Sequence, residues 1–122
     1  MKVRGIRGAI TVKENKPEQI EEATFELLNE IISLNSIDED DVISIIFTIT
    51  RDLDQRYPSV VIRNSFNWTS TPILNFEEKY IVNSLEKCIR VLIYINTDKE
   101  KDDMVHVYLR EAKKLRPDLC SK

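Results

Sequence analysis

The run from Cys88 to Asn96 limits the fold more than any other part of the chain. It is β-branched or aromatic at most steps, and its alternation sends Ile89, Val91, Ile93 and Ile95 to one side and Cys88, Arg90, Leu92 and Tyr94 to the other. Residues 88–96 therefore form a strand, and one of its faces carries an arginine among apolar neighbours.

The remaining elements follow from that strand. Residues 2–12 hold Val3, Ile6, Ile10, Thr11 and Val12 together with the only two glycines of the chain, Gly5 and Gly8. Glycine weakens a strand, so a pair in this one implies that something approaches the backbone closely. Across 17–35, Ile20, Ala23, Phe25, Leu27, Leu28, Ile31, Ile32 and Leu34 recur near helical spacing. Pro17 suits the first turn, and Glu18, Glu21 and Glu22 suit the positive end of the helix dipole. An acidic turn at 38–41 leads into a β-branched strand over 42–49. Tyr57-Pro58 opens a short helix through Val61 and Ile62 towards Phe66, and 68–74 is extended, with Pro72 marking an edge or a strand start. After a charged turn at 98–103, the spacing of Met104, Val107, Tyr108, Leu109, Ala112 and Leu115 predicts a second amphipathic helix ending at Arg116-Pro117. The order is β-α-β-(short α)-β-β-α, an α/β mixed-sheet fold in one domain over 1–122, and the tail at 118–122 is expected to be mobile.

Composition restricts what such a domain can do. A chain of 122 residues supports one core, and 42% hydrophobic with 32% charged residues is the balance of a folded soluble domain. The net charge of −3, from 18 basic against 21 acidic side chains, gives no global field that draws nucleic acid or an anionic membrane. No apolar run approaches a membrane span and the N-terminus lacks a signal-peptide stretch, so a cytoplasmic location is expected. Cys88 and Cys120 are far apart, the single histidine is His106, and no zinc-ligand or disulfide spacing is present. Serine-histidine-acid and cysteine-histidine catalysis both need better-placed groups than these. His106, between Val105 and Val107, reads as a surface or capping residue. Gly5-Ile6-Arg7-Gly8 matches no phosphate-binding fingerprint.

Arginines are then the informative residues. Arg7 and Arg90 both lie within strands, where an unpaired guanidinium on a half-buried face is costly. Either each pairs with a local carboxylate such as Glu78, or they meet a ligand bearing carboxylates, which the planar guanidinium fork matches. Composition and spacing leave both readings open.

The order of motifs along the chain resembles one family. Val3-Arg4-Gly5-Ile6-Arg7-Gly8-Ala9 with Thr11-Val12, then Asp52-Leu53, Tyr57-Pro58 and Arg63, then Trp68 and Pro72, then Lys87-Cys88-Ile89-Arg90-Val91, His106-Val107-Tyr108-Leu109 and Leu115-Arg116-Pro117-Asp118-Leu119 are similar, in this order, to the AroH class of chorismate mutases. The similarity runs from about residue 2 to 119.

That resemblance implies a homotrimer with a pseudo-barrel core and active sites in clefts between subunits. It implies conversion of chorismate to prephenate, for phenylalanine and tyrosine biosynthesis, without metal or cofactor. By position, Arg7 and Tyr108 resemble contacts to the substrate carboxylates, Arg90 the cation at the ether oxygen, and Glu78 the acceptor of the ring hydroxyl. Leu74, Asn75, Phe76 and Glu77 resemble the segment lining the pocket. Tyr57, Arg63, Leu115 and Arg116 resemble second-rank contributors, Tyr57 as a wall and the two arginines near the mouth. The chain departs from the family at Leu74 and Asn75, where threonine and cysteine are common, at Ser59 and Val60, commonly alanine and lysine, and at Asn83-Ser84, often glycines. Two other readings stand beside the mutase: a catalytically silent dicarboxylate-binding trimer, and an imine-deaminase-like trimer.

Overall fold

A computed structural model describes residues 1–117. The expected mobile tail at 118–122 lies outside the described residues. The elements are β1 (Lys2–Thr11), α1 (Pro17–Asn35), β2 (Val42–Thr50), α2 (Val60–Phe66), β3 (Ile73–Glu78), β4 (Cys88–Thr97) and β5 (Val107–Tyr108), with single 3-10 turns at Glu39–Asp41, Lys101–Asp103 and Arg110–Lys114. They form one mixed sheet in the order β3-β2-β4-β1-β5.

β4 sits at the centre. It pairs antiparallel with both β1 and β2, so its alternation sets the faces of the whole sheet. Ile89, Val91, Ile93 and Ile95 are buried, while Arg90, Leu92 and Tyr94 are only partly so, as the alternation requires. The buried face continues through Ile6 and Ile10 of β1 and Ile45 and Phe47 of β2, and α1 covers it with Ile20, Ala23, Leu27, Leu28 and Ile31. Pro17 occupies the first turn of α1, and Ser36, in the left-handed region at φ 51°, ends it by donating to the carbonyls of Ile32 and Ser33.

Of the two glycines, Gly8 explains itself. A β-carbon there would lie 2.7 Å from Ile31 Cδ1, 3.1 Å from Leu27 Cδ1 and 3.1 Å from the Val107 carbonyl oxygen. α1 and β5 both close on β1 at that point. Gly5 faces only an ordinary contact, Leu92 Cδ1 at 3.5 Å, so the close approach expected for the pair belongs to Gly8 alone.

Two expectations are corrected. The extended stretch placed at 68–74 becomes a strand only from Ile73, just after Pro72, and runs to Glu78. Proline has no N–H to give a ladder, but the Pro72 carbonyl accepts the Ile45 N–H at 3.0 Å and starts the parallel β2–β3 pairing on the sheet edge. The second amphipathic helix is absent. In its place Val107 and Tyr108 pair in parallel with Gly8 and Ala9, the Leu109 N–H donates to the Ala9 carbonyl at 2.9 Å, and only Arg110–Lys114 coils, as a 3-10 turn. Arg110 breaks the path at φ 56°, its side chain donating to the Thr11 carbonyl and pairing with Glu26. No helix among the described residues is long and apolar enough to cross a membrane.

The uncovered face of the sheet is where the chemistry lies. Paired residues share a face, so Arg7, Ala9, Ile46, Thr48, Leu74, Phe76, Glu78, Cys88, Arg90, Leu92, Tyr94 and Tyr108 all project away from α1. The segment 109–115 covers one corner, where Tyr108 packs with Ala9, Cys88 and Ala112, flanked by Leu85 and Leu115. Elsewhere the face stays open, with Val3 at 55%, Leu74 at 59% and Phe76 at 49% exposure.

Candidate active site

At the edge of that covered corner lies a cleft of about 310 Å³, lined by Arg7 and Gly8 of β1, Ile46 and Thr48 of β2, Arg90, Val91 and Leu92 of β4, Tyr108 of β5, and Leu115 with Arg116 beyond the last turn. The register brings them together: Ala9 is opposite Arg90, Arg7 opposite Leu92, and Tyr108 beside Ala9. Three guanidiniums from distant parts of the chain thus share one small apolar-walled space.

Arg90 meets the local carboxylate that one of the two sequence readings called for. Its Nε lies 3.0 Å from Glu78 Oε1. Yet the Nε atom is buried without a well-directed hydrogen bond, because that oxygen is off the N–H line. Thr48 Oγ donates to the same Glu78 oxygen at 3.1 Å and fixes the carboxylate between β2 and β4. Arg7 is exposed and has no carboxylate at ion-pair distance among the described residues. Among the described residues that line the cleft there are three guanidiniums and no carboxylate, with Glu78 reached through Arg90, a setting suited to an anion.

The start of β4 is held independently of any ligand. The Asp52 carboxylate accepts the Lys87 N–H with both oxygens, at 3.1 and 3.0 Å, and also accepts from Thr50 Oγ. Thr50 Oγ in turn accepts the Cys88 N–H at 3.0 Å. This fixes the backbone two residues before Arg90. Cys88 itself is buried, and desolvation pushes its thiol up to about 11 against the opposing pull of Arg90, so it is a neutral packing residue.

The other predicted residues lie elsewhere. Tyr57, Asn75, Phe76 and Glu77 line a second, wider cleft of about 640 Å³ with Val60, Leu53 and the 54–56 loop, beside the edge strand β3. Asn75 is clamped there: its Nδ2 donates to Ser59 Oγ at 2.9 Å, and the Ser59 N–H donates to its Oδ1 at 3.4 Å. Leu74 is on the open face and Arg63 is exposed on α2, and neither lines either cleft. Of the twelve residues singled out from the sequence, five line the first cleft and four the second, Glu78 is joined to the first through Arg90, and Leu74 and Arg63 stand apart from both. Sequence reasoning missed Thr48, whose placement depends on β2–β4 register, and it read His106 as a surface or cap residue. His106 is half-buried, and its Nδ1 accepts the Arg7 N–H at 2.9 Å. Among the described residues no group of His, Cys, Asp or Glu is arranged to hold a metal ion.

Known proteins share this architecture. The family model for chorismate mutase type I matches residues 3–119. Chorismate mutase AroH of Thermus thermophilus is 46% identical over 98% of each chain, and chorismate mutase AroH of Bacillus subtilis is 38% identical over 98% of this chain and 94% of its own. A solved chorismate mutase from Clostridium thermocellum superposes with a TM-score of 0.88 at 49% identity, covering 90% of this chain and 97% of that one. With fold, arginine-lined cleft and full-length similarity in agreement, the chain belongs to the type I chorismate mutases.

Proposed function

We propose that this chorismate mutase converts chorismate to prephenate by clamping the dianion in its reactive shape and stabilising the charge that develops on the ether oxygen. The rearrangement is pericyclic: one carbon–oxygen bond breaks as one carbon–carbon bond forms, and no proton, nucleophile or electron has to be supplied. Two tasks remain, and both are electrostatic. A flexible substrate must be held so that its reacting carbons meet, and a cation must already stand where negative charge grows.

Arg7 and Tyr108 take the first task, as contacts to the carboxylates, with Arg116 and Leu115 at the mouth. Arg90 takes the second. Its ion pair with Glu78 and the Asp52–Thr50 anchor below it support a guanidinium that is set before substrate arrives, which is what preorganisation requires. Glu78 also offers an acceptor for the ring hydroxyl. The observation that carries this reading is the convergence of Arg7, Arg90 and Tyr108 on one cleft whose lining, among the described residues, includes no carboxylate.

The second half-site completes the first from another copy of the chain. An open sheet face with exposed Val3, Leu74 and Phe76 is more apolar than a solvated face should be. Tyr57, Asn75, Phe76 and Glu77 line a cleft separate from Arg90 on the same chain. A closed ring of three chains, as the family resemblance implies, brings each first cleft to a neighbour's second.

Incubation with chorismate, with loss of substrate followed and prephenate confirmed by acid conversion to phenylpyruvate, tests the activity. Arg90→Ala should fold and lose turnover by on the order of a thousandfold, since removing a preorganised charge costs about 4 kcal/mol at the transition state. Near-normal turnover by that variant would remove Arg90 from its role, and no turnover by the unmodified chain would leave a silent dicarboxylate-binding protein.

A further inference from the structure

The only histidine of the chain has no part in that mechanism, yet it touches the cleft's backbone. β5 is two residues long and pairs with β1 only at Gly8 and Ala9. The approach to it is tied down by side chains. Asn35 Oδ1 accepts the Val105 N–H at 2.8 Å and Asn35 Nδ2 donates to the Val105 carbonyl at 2.9 Å, fastening the segment to the end of α1. One residue on, the His106 ring reaches β1, and the Arg7 N–H donates to its Nδ1 at 2.9 Å. Two residues further along β1, the Ala9 carbonyl accepts the Leu109 N–H. Arg7 and Ala9 thus turn their backbone groups to the same side, and the imidazole stands where a strand carbonyl would be.

We propose that His106 is a positioning residue for the carboxylate subsite: by accepting the Arg7 N–H it extends the β1–β5 pairing by one bond and fixes Tyr108 in the cleft beside Arg7, and it does so only as the neutral imidazole. The assignment rests on reading Arg7 and Tyr108 as the substrate-carboxylate contacts. The chemistry of the ring dictates the protonation requirement, because a protonated imidazole carries hydrogen on both nitrogens and can accept nothing. Among the described residues, the charged groups that act on the ring are the guanidiniums of Arg7 and Arg116. Burial first, and then these two cations, hold its pKa below the usual histidine value. The neutral form is therefore kept through neutral pH and lost only as the pH falls below the ordinary histidine range. Carboxylic acids, with pKa values near about 4, stay ionised over most of that fall, so a change in substrate binding there reports the protein.

The test joins an NMR titration of the full-length protein with kcat and KM for chorismate between about pH 5 and 8. A single histidine makes the imidazole signal unambiguous. The Arg7 amide resonance should move with the imidazole titration, and KM should rise as pH falls through the same midpoint while kcat changes less. Asparagine places its Oδ1 near the Nδ1 position and does not titrate, so His106→Asn should restore the acceptor and remove the acid rise in KM. His106→Leu, with no acceptor, should raise KM on the order of tenfold at every pH, the equivalent of one hydrogen bond lost. An Arg7 amide indifferent to the titration, an acid limb that persists in His106→Asn, or a folded His106→Leu with unaltered KM would each overturn the proposal. Absence of any turnover by the unmodified chain would instead overturn the substrate reading, and with it the catalytic half of this assignment, whatever the titration gave.

Discussion

At the residue scale, the cleft beside β3 differs most from what the family resemblance leads one to expect, and two of the differences there, Ser59 and Asn75, are coupled. Asn75 and Ser59 exchange hydrogen bonds, Nδ2 to Oγ and N–H to Oδ1, so each gives the other a reason to be polar. The pair fixes which way the Asn75 amide faces and ties β3 to the entry of α2, below Tyr57. Ser59→Ala should then behave much like loss of Asn75 itself, because a freed amide no longer presents one donor in one direction. Alanine and cysteine, common in the family at these positions, give a natural cycle: Ser59→Ala, Asn75→Cys and the double variant should be non-additive in kcat/KM by about 1 kcal/mol. Strict additivity in steady-state assays would mean that the two side chains act separately. Which way Asn75 faces was not legible in the sequence, since Ser59 and Asn75 meet only after α2 folds back on the sheet edge.

At the element scale, what could be read depended on whether a segment's own period decided its structure. β4 and α1 could be read because their patterns agree with what packs on them: a β-branched residue, Ile or Val, at every second position on the core face of β4, and apolar residues at three and four along α1 facing it. The 104–115 segment could not, because Met104, Val107, Tyr108, Ala112 and Leu115 satisfy a helical spacing while Val107 and Tyr108, read alone, also suit opposite faces of a strand. Pairing with Gly8 and Ala9 chose the strand. The same long-range effect put Thr48 in the cleft and His106 on Arg7, neither of which a local pattern reveals. Gly8 is the hinge of this choice, since it lets α1 and β5 approach β1 together. Gly8→Ala would put a methyl 3.1 Å from the Val107 carbonyl as well as against Leu27 and Ile31. The two leucine and isoleucine ends can rotate, but the backbone oxygen has to move. Denaturant unfolding should show a loss of about 1–3 kcal/mol, and because β5 carries Tyr108, KM should rise with it. An equally stable variant with unchanged KM would show that β5 is not seated as tightly as its contact with Gly8 implies.

At the scale of the whole molecule, the proposed division of the active site between two clefts has a consequence that sets it apart from a single-chain enzyme. If each active site takes Arg7, Arg90 and Tyr108 from one chain and Tyr57 and Asn75 from the next, a chain damaged in its first cleft still carries an intact second, and the reverse. Arg90→Ala and the double variant Tyr57→Ala, Asn75→Ala should each be poorly active alone. Co-expressed or refolded together in equal amounts, they should form mixed rings in which one site in about four pairs an undamaged first cleft with an undamaged second, by random assortment around a closed cycle. Activity should then return to roughly a quarter of the unmodified level, far above either variant alone, and sedimentation or light scattering should show a trimer throughout. If both clefts instead acted within one chain, every chain in the mixture would carry a damaged site, and mixing would restore nothing. Recovery on mixing would thus place the interface between Arg90 and Asn75, and it would also explain why Val3, Leu74 and Phe76 can remain uncovered on a lone chain: the surface that covers them is supplied by its neighbours.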